Sequence, residues 1–248
     1  MKIISLILCI CWSIAFSASP NASPTTLILG AEDSWPPYSD KLGQGISTNI
    51  VKAAFAKVGL ENQIVVRPYS RILQDVKAGA LDAGYNVTRQ KNTEQEFVFG
   101  NEPILRASTY WYFRWDTTPP APTTQSLPDG YKVGVIIDYE YGDIFEEERH
   151  RFKEVRVPRQ AQLIKMLQQG RIDAALMFEE EANQTLKEMG LSKTAIQKGM
   201  FNHTGDVYLA FSRKKPHSQE LAQKFDLGIK KLKETGEYQQ LLNPYTPQ

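Results

Sequence analysis

A helix, a glycine and a strand occur twice in this chain, and that repetition constrains the fold more than any other feature. The first copy runs from Arg67 to Val87. Ile72, Leu73 and Val76 fall at i, i+1 and i+4, one apolar stripe on a helix. Gly79 follows the last periodic residue, where a helix can end in a left-handed cap, and Leu81 to Val87 reads as a strand. The second copy, Gln162 to Phe178, matches without a gap. Leu163, Ile164, Leu167, Gly170, Asp173 and Ala174 stand where Ile72, Leu73, Val76, Gly79, Asp82 and Ala83 stand in the first. Helix–glycine–strand is common in any α/β protein, but the shared G-x-[LI]-D-A goes beyond that. One supersecondary unit used twice, this far apart, predicts two similar α/β lobes. A solenoid would need more repeats at a shorter period.

The chain has 248 residues, enough for one large domain or two small ones. Its formal net charge is +1 with no long run of one sign. It therefore offers neither the basic face a nucleic-acid partner needs nor a polybasic membrane tether. Lys2, the apolar run Ile3 to Phe16 and the small residues of Ala15-Phe16-Ser17 predict a cleaved signal peptide over residues 1–17 and a soluble, periplasmic chain starting near Ala18. Cys9 and Cys11 both lie in that segment, which leaves the exported chain without a disulfide, a thiol nucleophile or a Cys metal site. His150, His203 and His217 are scattered, with no H-x-x-x-H spacing, and no G-x-S-x-G elbow is present. No cofactor or metal is expected.

Along the chain, Thr26 to Gly30 reads as a first strand, and Glu32 to Asp40, with Pro36 and Pro37, as a loop carrying Trp35 and Tyr38. Ser47 or Thr48 is placed to cap a helix running to about Val58, and Gln63 to Val66 is a second strand. Thr88 to Glu96 is polar, Phe97 to Phe99 an apolar edge, and Ser108 to Trp115 a β-prone aromatic run. Thr117 to Pro128, rich in Pro and Thr, reads as a surface loop at a lobe boundary. Tyr131 to Ile137 opens a second lobe, followed by a helix over Ile144 to Phe152, a strand over Lys153 to Val157 and, after the repeat, a helix over Glu179 to Met189. Asp206 to Phe211 is a returning strand, and helices follow over Ser218 to Glu234 and Glu237 to Leu242. The predicted division is residues 26–114 and 207–248 for lobe one and 115–206 for lobe two. Under it, Asp82 and Asp173 are expected in separate sheets.

Several marks occur in order over nearly the whole exported chain. They are Trp35-Pro36-Pro37-Tyr38 after the first strand, Gly43-x-Gly45 before the first helix, the two G-x-[LI]-D-A units, Phe99 with Pro103, and Val133-Gly134-Val135. In these the chain resembles bacterial periplasmic solute-binding proteins of family 3, the type known as amino-acid receptors for ABC importers. Pro68-Tyr69-Ser70-Arg71 with Asp138-Tyr139-Glu140-Tyr141-Gly142 is similar to a subgroup whose ligands are often unassigned. The resemblance implies a two-lobe α/β fold with two crossover strands, a ligand in the cleft, an inner-membrane ABC permease as partner, and a monomer. It implies stacking aromatics at Trp35 and Tyr69, and a ligand-contacting hydroxyl at Thr88. The loops at Asp33–Tyr38, Tyr69–Arg71, Asn86–Arg89, Asp138–Tyr141 and Phe178–Glu180 all follow strands, where open α/β sheets place ligands.

Two positions depart from the family. Thr93 stands where an arginine grips an amino acid's α-carboxylate, and Phe178 where a carboxylate receives its α-amino group. A threonine hydroxyl cannot replace bidentate guanidinium binding. A one-residue slip would bring Glu179 to the amino side. An ordinary α-amino acid is thus put in doubt, and a small polar or aromatic solute is expected instead. Arg71, Arg89 and Glu140 are further candidates. Unplaced charges of this kind most often sit solvated at the surface, and Arg71, directly after Tyr69 and a strand end, is the strongest of the three. Trp35 and Tyr69 are expected to face Tyr139, Glu140 and Phe178 across the cleft, with Arg71 at the wall. Two rival functions are a cyclohexadienyl-dehydratase-like enzyme, with Glu140, Glu179 or Glu180 as general acid if burial raises its pKa, and a sensory module of a membrane kinase.

Overall fold

A computed structural model of the chain describes residues 26–242. The expected signal segment, residues 1–17, lies outside them. β1 (Leu27–Glu32), α1 (Ile46–Ala56), β2 (Asn62–Arg67), α2 (Tyr69–Ala78) and β3 (Ala83–Thr88) form a first alternating run. α3 (Lys91–Glu96) and β4 (Phe97–Phe99) lead into β5 (Leu105–Arg114). A second run follows: β6 (Lys132–Ile136), α4 (Asp143–Glu148), β7 (Lys153–Val157), α5 (Gln160–Gln168), β8 (Ala174–Phe178) and α6 (Glu179–Glu188). β9 (Ile196–Ser212), α7 (Ser218–Glu234) and α8 (Glu237–Leu242) complete the described chain.

β1 pairs in parallel with β2 and β3, and β6 in parallel with β7 and β8, so each half has the same three-strand arrangement. β5 and β9 run antiparallel to each other from Leu105 opposite Val207 to Arg114 opposite Ile196. β9 also pairs with β3 and β4, and β5 with β8. These two long strands join the halves of a two-lobe α/β fold. The hydrogen-bonded ladder is consequently continuous, in the order β2-β1-β3-β9-β5-β8-β6-β7. The expectation that Asp82 and Asp173 precede strands of separate sheets is corrected here. The crossover strands pair with each other as well as with both halves, and so stitch the two sheets into one.

The repeat holds at the level of single atoms. Gly79 (φ 79°) and Gly170 (φ 64°) both take the left-handed conformation that ends a helix. The Asp82 carboxylate accepts from the Ile28 amide at 2.8 Å, while its own amide donates to the Ile28 carbonyl at 2.9 Å. Asp173 makes the same two bonds with Lys132, at 2.8 and 2.9 Å. The shared aspartate thus clasps the start of the neighbouring central strand in each half. A Cβ on Gly30 would lie 2.7 Å from Ile72 and 2.9 Å from Leu81; one on Gly134 would lie 2.7 Å from Leu163 and 2.5 Å from Ile172. Those contact residues are equivalent in the two copies, so both central strands use a missing side chain to seat the repeat helix.

Other expectations shift in detail. Ser47 and Thr48 lie inside α1, which begins after Gly45; the Thr48 hydroxyl meets the Tyr85 hydroxyl at 2.7 Å instead of capping. The polar stretch after β3 contains α3, started by reciprocal bonds between Gln90 and Thr93. The returning strand begins at Ile196, ten residues before the expected Asp206, because the crossover portion carries polar residues that break the apolar pattern. The Pro/Thr-rich segment has a short 3-10 turn at Thr124–Ser126, whose buried Thr124 accepts from Trp111 Nε1 at 2.9 Å. Among the described residues, no helix is long and apolar enough to cross a membrane.

Candidate ligand-binding cleft

The loops at the strand ends of the two halves meet over a buried cluster. β1 ends in Glu32, and the loop beyond it carries Trp35, with exposures of 2% each. Tyr69 is the first residue of α2. Asn86 sits where the pairing of β3 with β9 shifts register, and its φ of 70° lies in the left-handed region. A bulge of this kind re-aims a side chain, and Asn tolerates the conformation better than most residues. From the second half, Asp138 (φ 61°) turns the chain after β6 and leads into the buried Tyr139, Glu140 and Tyr141. Phe178 ends β8, and Glu181 lies one residue into the buried side of α6, beside Ala182 and Thr185.

Glu32, Trp35, Tyr69, Asn86, Thr88, Tyr139, Glu140 and Phe178 line one small cavity of about 10 Å³. That is about the room one water needs. A hollow of about 290 Å³ adjoins it, sharing Tyr139 and Glu140. The rings pack across the junction. Trp35 meets Phe178 edge-on at 5.1 Å, Tyr69 meets Tyr139 edge-on at 5.1 Å, and Tyr141 stacks on Phe178 at 6.1 Å.

Two reciprocal tyrosine–glutamate pairs span the halves. The Tyr69 hydroxyl donates to Glu140 at 2.6 Å, and the Tyr139 hydroxyl donates to Glu32. Gln90 Oε1 also accepts from the Gly142 amide at 3.1 Å, and at the rim Arg159 meets Asp33 at 3.1 Å and Lys91 meets Glu147 at 3.2 Å. Burial dominates the electrostatics. It pushes Glu32 up to about 8, with Asp33 and Glu140 adding to the shift and Tyr139 and Arg159 opposing it. Burial likewise pushes Glu140 up to about 8 against the bond from Tyr69. Glu181 is raised well above the carboxylate range by burial and by Glu32. At neutral pH Glu32 and Glu140 therefore hold protons, because a buried anion without a counter-charge is costly.

Both amide atoms of Asn86 have no hydrogen-bond partner within the protein, and Trp35 Nε1 and the Glu181 carboxyl make no well-formed bond, though the indole N–H acts on Glu181 to oppose its upward shift. Native interiors rarely leave such groups unmet, and those that do call for an explanation in function.

Trp35, Tyr69, Thr88, Tyr139, Glu140 and Phe178 come together as expected from the sequence. Three expected residues do not join them. Arg71 points out of α2 and pairs with Asp75 at 3.0 Å, because position 71 falls on the exposed face of the helix. Arg89 bonds to Glu94 at 2.6 Å and to the Gly100 carbonyl, and lies over the Phe99 and Tyr208 rings. Glu179 is held by Lys198 at the start of α6. Thr93 is spent on local structure, donating to the Thr88 carbonyl at 2.8 Å. Glu32 and Asn86, with Tyr141 and Glu181, are not among the single residues the sequence singles out, though Asn86 and Tyr141 bound two of the strand-end loops expected at the cleft. An acidic end to an apolar strand and an asparagine inside one were the available signals for the first two. Among the described residues, no group of three or more His, Cys, Asp or Glu is arranged to hold a metal ion.

The fold and cleft define a solute-binding class of α/β protein. The family model for bacterial extracellular solute-binding proteins, family 3, matches residues 27–248, and the chain belongs to that family. No curated protein matches the chain. Among solved structures, it is similar to a histidine kinase sensor domain that itself resembles periplasmic binding proteins. That likeness has a TM-score of 0.76 and 21% identity, over 89% of this chain and 96% of that one. An ancestral arginine-binding protein bound to arginine superposes with a TM-score of 0.74 at 18% identity, over 90% and 98% of the two chains. An ancestral amino-acid-binding protein, a precursor of cyclohexadienyl dehydratase, gives 0.72 at 19%, over 90% and 95%.

Proposed function

We propose that this chain is a periplasmic solute-binding protein that captures a small solute between its halves, without catalysis, and delivers it to an ABC permease in the inner membrane. The observation that carries this reading is the buried, unpartnered amide of Asn86 among the rings at the junction of the two halves. Buried atoms of this kind are completed by an ordered water or by a bound solute, and a binding cleft exchanges the one for the other. The halves, bounded near residues 114 and 206, close as rigid bodies about β5 and β9, and the chain acts as a monomer exported by residues 1–17. Trp35, Tyr69, Thr88, Tyr139, Glu140 and Phe178 contact the solute. Because the closed cavity is only about 10 Å³, the solute enters an open form and takes the space that the side chains now fill. A thermal-shift screen against amines, amino acids, aromatic acids and sugars tests this. A solute at a hundred times its dissociation constant adds about 2.7 kcal/mol. A chain that gains no stability from any class would contradict the reading.

A sensory role for a membrane kinase is the second reading. The two tyrosine–glutamate pairs favour it, since they hold the cleft shut by protein contacts alone, as a signalling module with a self-sufficient closed state would need. Permease genes or a kinase gene beside this one would separate the two. A dehydratase gains from Glu140, whose raised pKa suits a general acid. It loses because the cavity lining offers no cation to a carboxylated substrate.

A further inference from the structure

We propose that the cleft takes a small organic cation carrying no carboxylate of its own, an aliphatic amine or diamine, received by Glu32 from one half and Glu140 from the other among the rings of Trp35, Tyr69 and Tyr139. The inference rests on the solute-binding reading and names the ligand class for that site.

The lining of the cavity contains two carboxyl groups and no basic residue. An anion or a zwitterion would need a counter-cation, and none is free nearby. In the adjoining hollow, Lys77 is paired with Glu96 at 2.5 Å, Arg149 with Glu154 at 2.6 Å and Arg156 with Glu154 at 2.8 Å. Arg159 at the rim is taken by Asp33. The amino end of α6, where an anion would otherwise be welcome, carries Glu179, Glu180 and Glu181 in its first turn. A cation meets the opposite situation. Asn86 Oδ1 is a buried acceptor without a donor, and the flanking aromatic faces attract a positive charge.

The chemistry of exchange is simple. In the closed, ligand-free form each carboxyl keeps its proton, as burial requires. An ammonium group that enters replaces that proton: the carboxyl gives up H⁺ to solvent, and the resulting carboxylate pairs with the ammonium. The groups that face Glu32 are Tyr139, Asp33, Glu140, Arg159 and Glu181; those that face Glu140 are Tyr69, Glu146 and Glu32. Arg159 is the only cation among these, and Asp33 already neutralises it; Lys77, Arg149 and Arg156, which line the hollow that Glu140 borders, are each paired with a carboxylate. The amine stays protonated across the range in which the carboxyls titrate. Affinity therefore rises with pH up to about 8, the value at which both carboxyls are released.

Isothermal titration of the protein with 1,4-diaminobutane and 4-guanidinobutylamine tests this, set against L-arginine, L-glutamate, benzoate and glucose. Titrations at pH 6.5 and 8.5, each in two buffers of different ionisation enthalpy, report the protons released. The amines are expected to bind, at least tenfold more weakly at pH 6.5, with buffer-dependent heat showing proton release. Glu32→Gln and Glu140→Gln keep an uncharged, near-isosteric side chain in the ligand-free cleft. Each variant should melt no lower than the wild type at pH 6, since glutamine escapes the loss that the wild-type carboxyl has begun to suffer there, yet bind the amines at least tenfold more weakly. Tighter binding of L-arginine, L-glutamate, benzoate or glucose than of either amine would overturn the cationic class while leaving the solute-binding reading intact. So would amine binding without proton release, or unchanged amine affinity in both variants. A protein that binds none of the six would overturn the class, and if a wider screen were also blank the solute-binding reading would fall with it.

Discussion

The two halves of this molecule are alike where they are built and unlike where they meet. Gly30 and Gly134, Gly79 and Gly170, and Asp82 and Asp173 occupy equivalent places and make equivalent contacts. Beyond the strand ends the likeness stops. The first half brings Glu32, Trp35, Tyr69, Asn86 and Thr88, a mixture of polar groups and two rings; the second brings Tyr139, Glu140, Tyr141 and Phe178, mostly rings. Only the Tyr–Glu pairs are reciprocal, each half giving one of each to the other. A repeated scaffold fixes where two surfaces face each other, while the unrepeated loops decide what they hold.

The sharpest way to break the likeness is to overpack both central strands. Gly30→Ala and Gly134→Ala each place a methyl group against two side chains of the repeat unit and should cost about 1–3 kcal/mol, equally in both halves. Urea unfolding measures this, and a clear inequality would show that the two helices seat differently. Next come Asp82→Ala and Asp173→Ala. Each leaves a strand amide without its acceptor, at a cost of about 1–2 kcal/mol. Asp82 loses little extra with Lys215, an exposed partner at 3.2 Å.

The junction is sharpened by pH. Glu32 and Glu140 have folded pKa values of about 8 against ordinary values of 4.5, so the folded form binds more protons than the unfolded chain between those limits. Their contribution is fully present below pH 4.5 and is lost as pH rises through about 8. The melting temperature of the ligand-free protein should fall between pH 5 and 8.5. Glu32→Gln and Glu140→Gln should each remove part of that slope, one for each half, and a slope untouched by both variants would mean the carboxyls titrate in a solvated cleft. The smallest effects should come from Arg71→Ala, Arg89→Ala and Glu179→Gln, whose charged groups pair locally away from the cavity. Each should change solute affinity by less than about 0.5 kcal/mol by titration.

Much of the scaffold was legible because it follows from periodicity and glycine. The stripe of Ile72, Leu73 and Val76, the stop at Gly79 and the matching unit at Leu163 to Ala174 predicted two like halves. The aromatic part of the site was legible because Trp35, Tyr69, Tyr139 and Phe178 stand at or just beyond strand ends. The acidic part was less so. Glu32 reads as the start of a loop because the apolar run of β1 stops near Gly30, two residues before the strand does. Glu181 sits in a run of three glutamates that reads as a solvated helix start; only its phase with Ala182 and Thr185 places it inside. Asn86 is marked in the sequence only as an asparagine near the end of an apolar strand; the bulge that aims it, a register shift between two strands distant in sequence, has no local pattern. Arg71 misled because following an aromatic at a strand end says nothing of which way a helix turns.

The central claim is that a solute is held between the halves by residues of both. Titration calorimetry of one solute found by screening, on the wild type, Trp35→Ala and Tyr139→Ala, tests it most directly. The account predicts that each variant, one from each half, weakens binding by about 1–3 kcal/mol, chiefly through lost burial of a ring against the solute. Unchanged affinity in either variant, with its fold intact, would confine the site to one half and contradict the account.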